Sequence, residues 1–307
     1  MSHSSVSPTS QKGLNKRELV LIGITAIWGA SFFLIHASMQ VCGPLFFVGI
    51  RFGTAGLISL ALFHKSLKHI TRLEWIAGLS IGVCITLGYG LQTMGLQTIS
   101  SSRSAFMTAL YVPIVPILQW VIFRRSLSLM GWLGVLLAFS GLILLSNQGL
   151  DDFSISRGEI YTLLCTVAIA GEIILIGQFA GNVNVRNVTT IQLLMASLLS
   201  FALMPVAGEP APAFSWIWVS TGLALGAASI LIQWAMNWAQ RAVSATRATL
   251  IYAGEPVWGG LFGRLAGDRL PAISLLGAGL IVLGVVVSEL KLPRRSKHAI
   301  AKGKVGE

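Results

Sequence analysis

Charged residues are scarce in this chain. Asp, Glu, Lys and Arg make up 11% of its 307 residues, against about 25% in ordinary soluble domains. The ranges 75–102, 126–150 and 210–240 contain none of the four. Uncharged, apolar runs of about 18 residues or more are long enough to cross a bilayer as helices, whereas a helix of a soluble protein keeps one polar face. The lack of charge therefore argues against a soluble domain and predicts an integral membrane protein.

The chain also lacks the motifs of ATP-driven transport and of membrane hydrolases. No GxxxxGK[ST] sequence occurs, which excludes a P-loop and direct ATP drive from this chain. Neither GxSxG nor HExxH is present, and the five histidines are scattered. The three cysteines lie at or within apolar segments without metal-ligand spacing, so they are interpreted as small core residues. We expect no enzyme activity, no cofactor and no metal.

What the chain does contain is a long internal repeat. Shifting the sequence by 141 to 144 residues superposes landmarks of its two halves, each with five apolar segments. The superposed pairs include Gly78 with Gly222, Gly82 with Gly226, Arg103 with Arg247, Pro113 with Pro256, and Glu18 with Glu159. Because five crossings is an odd number, the second half must enter the bilayer from the opposite side. Inverted repeats are typical of secondary transporters, whose substrate site lies between the halves near mid-membrane.

The apolar segments predict an all-α integral membrane protein with ten transmembrane helices, arranged as two inverted five-helix repeats. The first repeat, or first half, is residues 18–150, and the second half is residues 151–290. A disordered cytoplasmic N-terminus at 1–17 and a basic cytoplasmic tail at 291–307 flank them. The predicted spans are 19–38, 45–63, 75–97, 104–123, 130–147, 159–179, 188–206, 215–238, 247–263 and 271–290.

The basic residues indicate how these spans are oriented. With the N-terminus in the cytoplasm, 17 of the 22 Lys and Arg residues lie inside and Arg51 lies within a span, while four lie outside: Arg103, Arg157, Arg264 and Arg269. This bias follows the positive-inside rule and places both termini in the cytoplasm. The net charge of +11 sits at span ends and in the tail, so it does not indicate a nucleic-acid partner. The expected partners are the lipid bilayer and a small-molecule substrate, and a homodimer stays open.

Two short motifs carry a family resemblance. Residues 28–32 in the first span read Trp-Gly-Ala-Ser-Phe, and residues 255–258 in the ninth read Glu-Pro-Val-Trp. Together with the glycines between Gly277 and Gly284 in the tenth span, they resemble the EamA repeat of the drug/metabolite transporter superfamily. The resemblance covers roughly the whole repeat region. It implies a permease of the plasma membrane (in a bacterium, the inner membrane), often an exporter, for small polar metabolites such as amino acids, or for drugs.

Two segments depart from the family pattern. The first-half counterpart of the Glu-Pro motif, residues 111–113, reads Tyr-Val-Pro and lacks the acid. Residues 124–126 read Arg-Arg-Ser where the family commonly has an acidic residue after the fourth span. The resemblance therefore implies the fold, but no coupling mechanism is carried over from it.

Three ionisable residues lie well inside predicted spans, where a charge must face protein or water. Arg51 is a candidate to bind a substrate carboxylate through two parallel hydrogen bonds, or else a structural arginine paired with a helix end or a buried acid. Glu172 is a candidate for proton coupling, or else the partner of a basic residue. Glu255 is a candidate for substrate binding and for coupling, or else a cap for the amides of a neighbouring helix.

Prolines predict interruptions at matching places of the two halves. Pro113 and Pro116 lie in the fourth span, and Pro256 lies at the equivalent position of the ninth. Proline removes one backbone donor and disfavours helix at the preceding residue, here Glu255. Interrupted helices at corresponding positions often mark a transport pathway, although a packing kink gives the same pattern.

Uncharged polar residues complete the candidate substrate site. Tyr89 and Gln92 share one face of the third span, and Gln233 and Asn237 share one face of the eighth. Because an amide without a partner is costly in hydrocarbon, these side chains must face a cavity or bond to a neighbouring helix. The repeat superposes Tyr89 on Gln233 and Arg51 on Gln192. Apolar walls of the site are assigned to two aromatic residues, Tyr111 and Trp234.

These features favour a secondary transporter that moves a small polar or amphipathic metabolite, amino-acid-like or drug-like, by alternating access. Export or exchange across the plasma membrane is the expected direction. A membrane enzyme lacks support, because no nucleophile-base pair or metal cluster is visible in the sequence. The alternative that stays open is a non-transporting scaffold or a lipid-handling subunit.

Overall fold

The computed structural model describes residues 15–99, 104, 107–124, 127–146, 156–265 and 272–288. Most of the N-terminal segment and all of the basic tail predicted from the sequence lie outside these residues, as do Arg103 and residues 125–126 and 266–271. Within the described residues the secondary structure is entirely helical, with turns between the helices. Nothing in this part of the chain forms a strand.

The described residues contain eleven α-helices. They are α1 (Lys16–Ser38), α2 (Pro44–Phe63), α3 (Arg72–Gly95), α4 (Tyr111–Phe123), α5 (Leu129–Ser146), α6 (Arg157–Phe179), α7 (Val185–Leu203), α8 (Trp216–Ala239), α9 (Ala245–Tyr252), α10 (Glu255–Leu265) and α11 (Ala272–Ser288). A short 3-10 turn at Ser66–His69 separates α2 from α3.

Six of these helices are long enough and apolar enough to cross a membrane: α1, α2, α3, α6, α7 and α8. Shorter apolar helices occur at Tyr111–Phe123, Leu129–Gly141 and Leu276–Ser288. Each of the ten predicted spans contains at least one helix. The described part of the chain is thus all-helical, and its long apolar helices are those expected of a multi-pass membrane protein.

The ninth predicted span is not one continuous helix. It is divided into α9 and α10 by a turn at Ala253 and Gly254. The expectation that proline would keep Glu255 out of a helix is wrong, because Glu255 is the first residue of α10. Pro256 is the second residue, where the first turn of a helix leaves backbone N–H groups without intrahelical partners, so its missing N–H costs nothing. The interruption therefore precedes Glu255 and places its side chain at a helix start.

The fourth predicted span has a matching turn at Ala109 and Leu110, before α4 begins at Tyr111. Pro113 lies in the first turn of α4, and Pro116 lies inside the helix. A shift of 144 residues carries Ala109 and Leu110 onto Ala253 and Gly254. The two helices are therefore interrupted at equivalent positions of the repeat.

Helix starts also coincide between the halves. Thr71 precedes α3 and Ser215 precedes α8, at positions that a shift of 144 residues superposes. The hydroxyl of Thr71 accepts a hydrogen bond from the backbone N–H of Glu74, whose carboxylate accepts from the N–H of Thr71 at 2.9 Å. Ser215 accepts from the N–H of Ile217 at 3.2 Å. Side-chain caps satisfy amides that the first turn leaves unpaired, so they fix where each helix begins.

The halves pack against each other through glycines at exchanged positions. A Cβ atom on Gly82 of α3 would lie 2.8 Å from the backbone oxygen of Gln192 in α7. A Cβ atom on Gly226 of α8 would lie 2.9 Å from the backbone oxygen of Arg51 in α2. Since the repeat superposes Gly82 on Gly226 and Arg51 on Gln192, one close approach occurs twice with the halves exchanged. Small residues allow this approach between helix backbones.

The same exchange occurs between α5 and α11. A Cβ atom on Gly134 would meet the backbone oxygen of Gly284 at 2.7 Å, and one on Gly141 would meet that of Gly277 at 2.5 Å. The repeat superposes Gly134 on Gly277 and Gly141 on Gly284. The contacts of this outer helix pair therefore follow the same two-fold pattern.

Each half also supplies a carboxylate to the start of a helix in the other. Glu209, in the second half, accepts hydrogen bonds from the backbone N–H groups of Leu45 (2.9 Å) and Phe46 (2.7 Å) at the start of α2. Glu74, in the first half, accepts from the backbone N–H of Asn184 (2.9 Å) and the side-chain amide of Asn187 (3.0 Å) at the start of α7. A carboxylate stabilises the positive end of a helix dipole. These exchanged caps join the two halves at the ends of α2 and α7.

Candidate functional site

A cavity lies where the two halves meet. We refer to it as the seam cavity. Its lining comes from both halves, through α1, α2, α3, α4, α6, α8, α9 and α10 and the residue Thr108. The lining residues are Trp28, Ser31, Ile35, Arg51, Tyr89, Gln92, Thr108, Tyr111, Ile169, Glu172, Ile173, Met236, Tyr252 and Glu255.

Arg51 is the basic residue of the seam cavity. Its side chain is 2% exposed, and its Nε donates a hydrogen bond to the hydroxyl of Ser229 at 2.7 Å. The guanidinium carbon lies 5.4 Å from the ring centre of Phe52 and 5.0 Å from that of Tyr89. Among the described residues, no carboxylate forms an ion pair with it. The two terminal nitrogens of the guanidinium group therefore remain available to a ligand.

Glu172 is held in place by a chain of side-chain amides. Gln233 donates from its Nε2 to Glu172 Oε1 at 2.8 Å. Gln192 donates in turn to Gln233 Oε1 at 2.7 Å, and Asn237 donates to Gln192 Oε1 at 3.1 Å. We call Gln233, Gln192 and Asn237 the amide chain. Because each amide accepts through its oxygen and donates through its nitrogen, the chain ends with an N–H directed at the carboxylate.

Glu255 is the second acid of the seam cavity. It lies at the start of α10, directly after the turn at Ala253 and Gly254. No hydrogen bond from another described residue reaches its carboxylate, so within this part of the chain it does not cap a neighbouring helix. Its side chain differs in this respect from that of Glu172, although both line one cavity.

Aromatic side chains form much of the cavity wall. Trp28 packs edge-on against Tyr252, with ring centres 5.1 Å apart, and Phe52 packs edge-on against Tyr89 at 5.0 Å. Tyr111 is 3% exposed, and its hydroxyl has no hydrogen-bond partner among the described residues. A buried hydroxyl usually finds a partner, so the Tyr111 hydroxyl is a group that a bound polar ligand would satisfy.

The structure brings six of the predicted site residues together at the seam cavity: Arg51, Tyr89, Gln92, Tyr111, Glu172 and Glu255. Gln92 also donates to the Thr108 hydroxyl at 3.1 Å. Of the three prolines, none lines the cavity, but Pro256 adjoins Glu255, and Pro113 and Pro116 follow Tyr111 in α4. The interruptions in the two helices therefore lie beside cavity residues.

Three predicted residues have other positions. Gln233 and Asn237 are buried in the amide chain and do not line the cavity, although Gln233 contacts Glu172, which does. Trp234 stacks on Trp238, with ring centres 6.1 Å apart and planes at 5°. Trp234 therefore packs beside another helix residue and does not form a cavity wall, because it lies on a different face of α8 from Met236.

Other lining residues were not assigned to the site from the sequence, chiefly Trp28, Thr108 and Tyr252. One signal could have indicated Tyr252, since the chain has only four tyrosines and three of them line the cavity. The repeat gives a signal for another lining residue, because a shift of 144 residues superposes the candidate Gln92 on Met236. The repeat relates lining residues to one another, so extending it to every candidate identifies more of the site.

A cluster of polar contacts joins helices near the start of α1. Glu18 forms an ion pair with Arg247 of α9 at 2.5 Å. The neighbouring Thr246 donates to Gln119 of α4, also at 2.5 Å. Together these contacts connect α1, α4 and α9 at one end of the molecule, so α9 is fixed at this end and interrupted at the other.

Both halves of the chain match a known protein family. Residues 15–147 and, separately, residues 156–290 match the EamA-like transporter family. The two matches correspond to the two halves found from the repeat. A solved crystal structure with 17% sequence identity superposes with a TM-score of 0.72, covering 90% of this chain and 97% of that chain. That likeness shows a shared fold.

Several curated proteins are similar over most of the chain. An uncharacterized transporter of Archaeoglobus fulgidus is 28% identical over 284 residues, covering 90% of this chain and 86% of the relative. The uncharacterized inner membrane transporter YedA of Escherichia coli K12 is 27% identical over 293 residues, covering 88% and 89%. The uncharacterized transporter YyaM of Bacillus subtilis is 23% identical over 293 residues, covering 90% and 95%.

Proposed function

Because the chain belongs to the EamA-like transporter family, we propose that it is a secondary carrier for a small zwitterionic metabolite of the amino acid kind. The observation that carries this proposal is the seam cavity, where the open guanidinium of Arg51 faces the acids Glu172 and Glu255. One basic and two acidic groups in one small cavity suit a substrate with a negative and a positive end.

The lining gives each part of such a substrate a partner. Arg51 binds the carboxylate, since a guanidinium presents two parallel donors to it. An ammonium group lies toward the acids on the opposite half. The rings of Trp28, Tyr111 and Tyr252 hold an apolar or aromatic side chain. An amphipathic drug without an acidic group would leave the terminal nitrogens of Arg51 without a hydrogen-bond acceptor in a buried site, which is costly, so the amino-acid-like substrate is favoured over the drug-like one.

Alternating access follows from an inverted arrangement of the halves. The exchanged glycine contacts of Gly82 and Gly226, the matching interruptions at 109–110 and 253–254, and the two family matches support ten spans in two inverted repeats. In such carriers one half rocks against the other about a site on their interface. With the N-terminus in the cytoplasm, the Glu18–Arg247 ion pair lies on the cytoplasmic side, and the carrier must break it to open toward the cytoplasm.

The carrier belongs in the plasma membrane, with both termini in the cytoplasm and export or exchange as its direction. The distribution of Lys and Arg supports this orientation, and the E. coli relative is named as an inner membrane transporter. Single cysteines in place of Lys68 and Arg295 test the orientation. Both must react with a membrane-impermeant reagent only from the cytoplasmic side, and labelling from opposite sides would contradict it.

Reconstitution tests the function itself. The purified chain in liposomes is first screened by thermal shift with individual amino acids, because a ligand of the folded state raises its apparent stability. Counterflow of a radiolabelled amino acid that gives a shift is then measured, with protein-free liposomes as the control. We expect saturable counterflow of at least one zwitterionic amino acid. If none of the stabilising ligands crosses the membrane, the chain is a non-transporting scaffold and the proposal fails.

A further inference from the structure

The seam cavity contains more acid than base. Arg51 is its basic residue, and Glu172 and Glu255 are its acids. Uncompensated charge is costly inside a membrane protein. A single guanidinium balances one carboxylate, so the empty cavity is neutral only when the other carboxyl group carries a proton. This count predicts one protonated acid, but it does not say which.

Other ionisable groups near the acids do not change this count of charges in the seam cavity. Tyr89, Tyr111 and Tyr252 line the cavity from α3, α4 and α9, and their hydroxyls are neutral at physiological pH. The thiol of Cys84 in α3 packs beside Gly171, next to Glu172, and Cys165 lies beside Thr108. The lining residues from α1 and α8 carry no ionisable group, and the described residues of α5, which packs against α10, include none.

Hydrogen bonding distinguishes the two acids. The amide chain of Asn237, Gln192 and Gln233 ends in an N–H that donates to Glu172 at 2.8 Å. The chain cannot easily reverse, because Asn237 Nδ2 also donates to the backbone oxygen of Gln233 at 2.9 Å and to Thr189 at 3.3 Å. A donor aimed at a carboxylate favours the charged form. Glu255 receives no such bond among the described residues, so nothing comparable favours its charge.

We infer that the two acids have separate tasks. Glu172, supported by the amide chain, stays a carboxylate and binds the cationic end of the substrate. Glu255, at the helix break, takes up a proton from solvent on one side of the membrane and releases it on the other. Gln233, Gln192 and Asn237 are positioning residues, because they act on the substrate only through Glu172. This inference rests on the proposed function for the role of the substrate, but the assignment of the proton does not.

Infrared spectroscopy tests the assignment without any substrate. A protonated carboxyl group has a C=O stretching band that carboxylates lack, and a pH jump on the purified carrier reports its gain and loss. The wild type is compared with Glu255→Gln and Glu172→Gln. Glu209→Gln is the matched control, since Glu209 contacts the start of α2 and does not line the cavity. Apparent melting temperatures check that each variant is folded.

We expect the band in the wild type and in the control, and its loss in both Gln variants, because either variant leaves one carboxylate to balance Arg51. The Asp variants decide between the acids: Glu255→Asp should shift the band, and Glu172→Asp should leave it in place. Gln233→Met removes the last donor of the amide chain at similar volume, so the single proton should move toward Glu172 and the band should shift. A band that shifts in Glu172→Asp but not in Glu255→Asp would overturn the assignment, as would its absence from the wild type.

Transport measurements test the consequence for the substrate. In liposomes, a pH gradient should no longer accelerate uptake of the labelled amino acid by Glu255→Gln, whereas the Glu209→Gln control should keep this acceleration. Glu172→Gln and Gln233→Met should raise KM about tenfold or more, since a hydrogen bond to a charged group is worth that much in affinity. A pH-driven rate that survives in Glu255→Gln would refute the inference. A wild type that moves no amino acid would refute the proposed function, while the infrared result would still decide the assignment.

Discussion

Arg51 in the first half and Gln192 in the second occupy equivalent positions of the repeat, as do Tyr89 and Gln233. The backbones of Arg51 and Gln192 make matching contacts, because Gly226 lies close to the backbone oxygen of Arg51 and Gly82 lies close to that of Gln192. The side chains are not alike. In the first half the guanidinium lies over the tyrosine ring, and in the second half the two amides hydrogen-bond to each other at 2.7 Å.

The acids of the cavity show the same asymmetry. A shift of 141 residues superposes Ser31, whose hydroxyl bonds to a backbone oxygen of its own helix, on Glu172. The first half therefore supplies the positive charge, and the second half supplies both negative charges. The packing of two repeats requires the same backbone contacts twice, whereas a substrate with a positive and a negative end requires different binding partners. Packing and charge are thus separable in this molecule, and each can be changed without the other.

The largest effect is expected from removing the charge difference between Arg51 and Gln192. Arg51→Gln makes the two positions identical and removes both terminal donors from the substrate carboxylate. Because each charge-assisted hydrogen bond contributes about 1.5–3 kcal/mol, affinity for the amino acid that stabilises the wild type should fall at least about a hundredfold. Isothermal titration measures the dissociation constant.

Two controls sharpen this result. Arg51→Lys keeps the charge without the paired donors and should give an intermediate loss. Gln192→Leu changes the equivalent residue of the other half and should cost about tenfold, because it acts only through Gln233 and Glu172. Unchanged affinity in Arg51→Gln would show that the carboxylate binds elsewhere.

The next effect concerns the glycine contacts between helix backbones, where equivalent substitutions in the two halves should reduce stability equally. Gly82→Ala and Gly226→Ala each place a methyl group under 3.0 Å from a backbone oxygen of the opposite half. Backbone cannot move aside as a flexible side chain can, so each change should destabilise the fold by about 1–3 kcal/mol. Thermal unfolding in detergent measures it.

The matched control is Gly23→Ala in α1, where nothing lies within 4 Å of the added methyl group. It should be neutral or stabilising by up to about 1 kcal/mol, because alanine favours helix over glycine. A clear difference between the Gly82 and Gly226 variants would mean that the two approaches are not equivalent in the membrane.

The smallest effect separates a cavity tryptophan from a packing tryptophan. Trp28→Leu removes a wall residue that packs against Tyr252, and the lost aromatic contact of about 1 kcal/mol should raise KM roughly fivefold. Trp234→Leu changes a residue stacked on Trp238 outside the cavity, and KM should stay within about twofold. Equal changes in KM would contradict the placement of Trp234.

The course of the chain was largely predictable, because crossing a bilayer constrains composition over twenty residues at a time. The predicted span at 159–179 corresponds to α6 at Arg157–Phe179, and that at 45–63 to α2 at Pro44–Phe63. The location of the break before Glu255 was not predictable. Proline indicates that a helix is interrupted nearby, but its tolerance for a first turn lets the interruption lie two or three residues earlier.

The site was predictable for residues whose burial requires compensation, and less so for the others. Arg51, Glu172 and Glu255 stood out because charge inside a span needs a reason. Gln233 and Asn237 do share one face of α8, but that face meets Gln192 instead of the cavity. A polar face toward a neighbouring helix and one toward a cavity give the same sequence pattern. Trp28 was noted as part of a family motif and Tyr252 was not noted at all, and neither was assigned to the site because aromatic residues also pack between lipid-embedded helices.

The carboxylate caps at α2 and α7 have a consequence for how the protein is made. A chain emerging from the ribosome presents α2 long before Glu209, so the amides of Leu45 and Phe46 must wait for a residue that is synthesised more than 160 positions later. Glu74, by contrast, is already in place when Asn184 appears. During synthesis, therefore, α2 depends on a later residue for its cap, whereas α7 depends on an earlier one. The early half stays incomplete at its second helix until the late half is inserted, and a truncated product ending near residue 150 would leave that helix end without its acid.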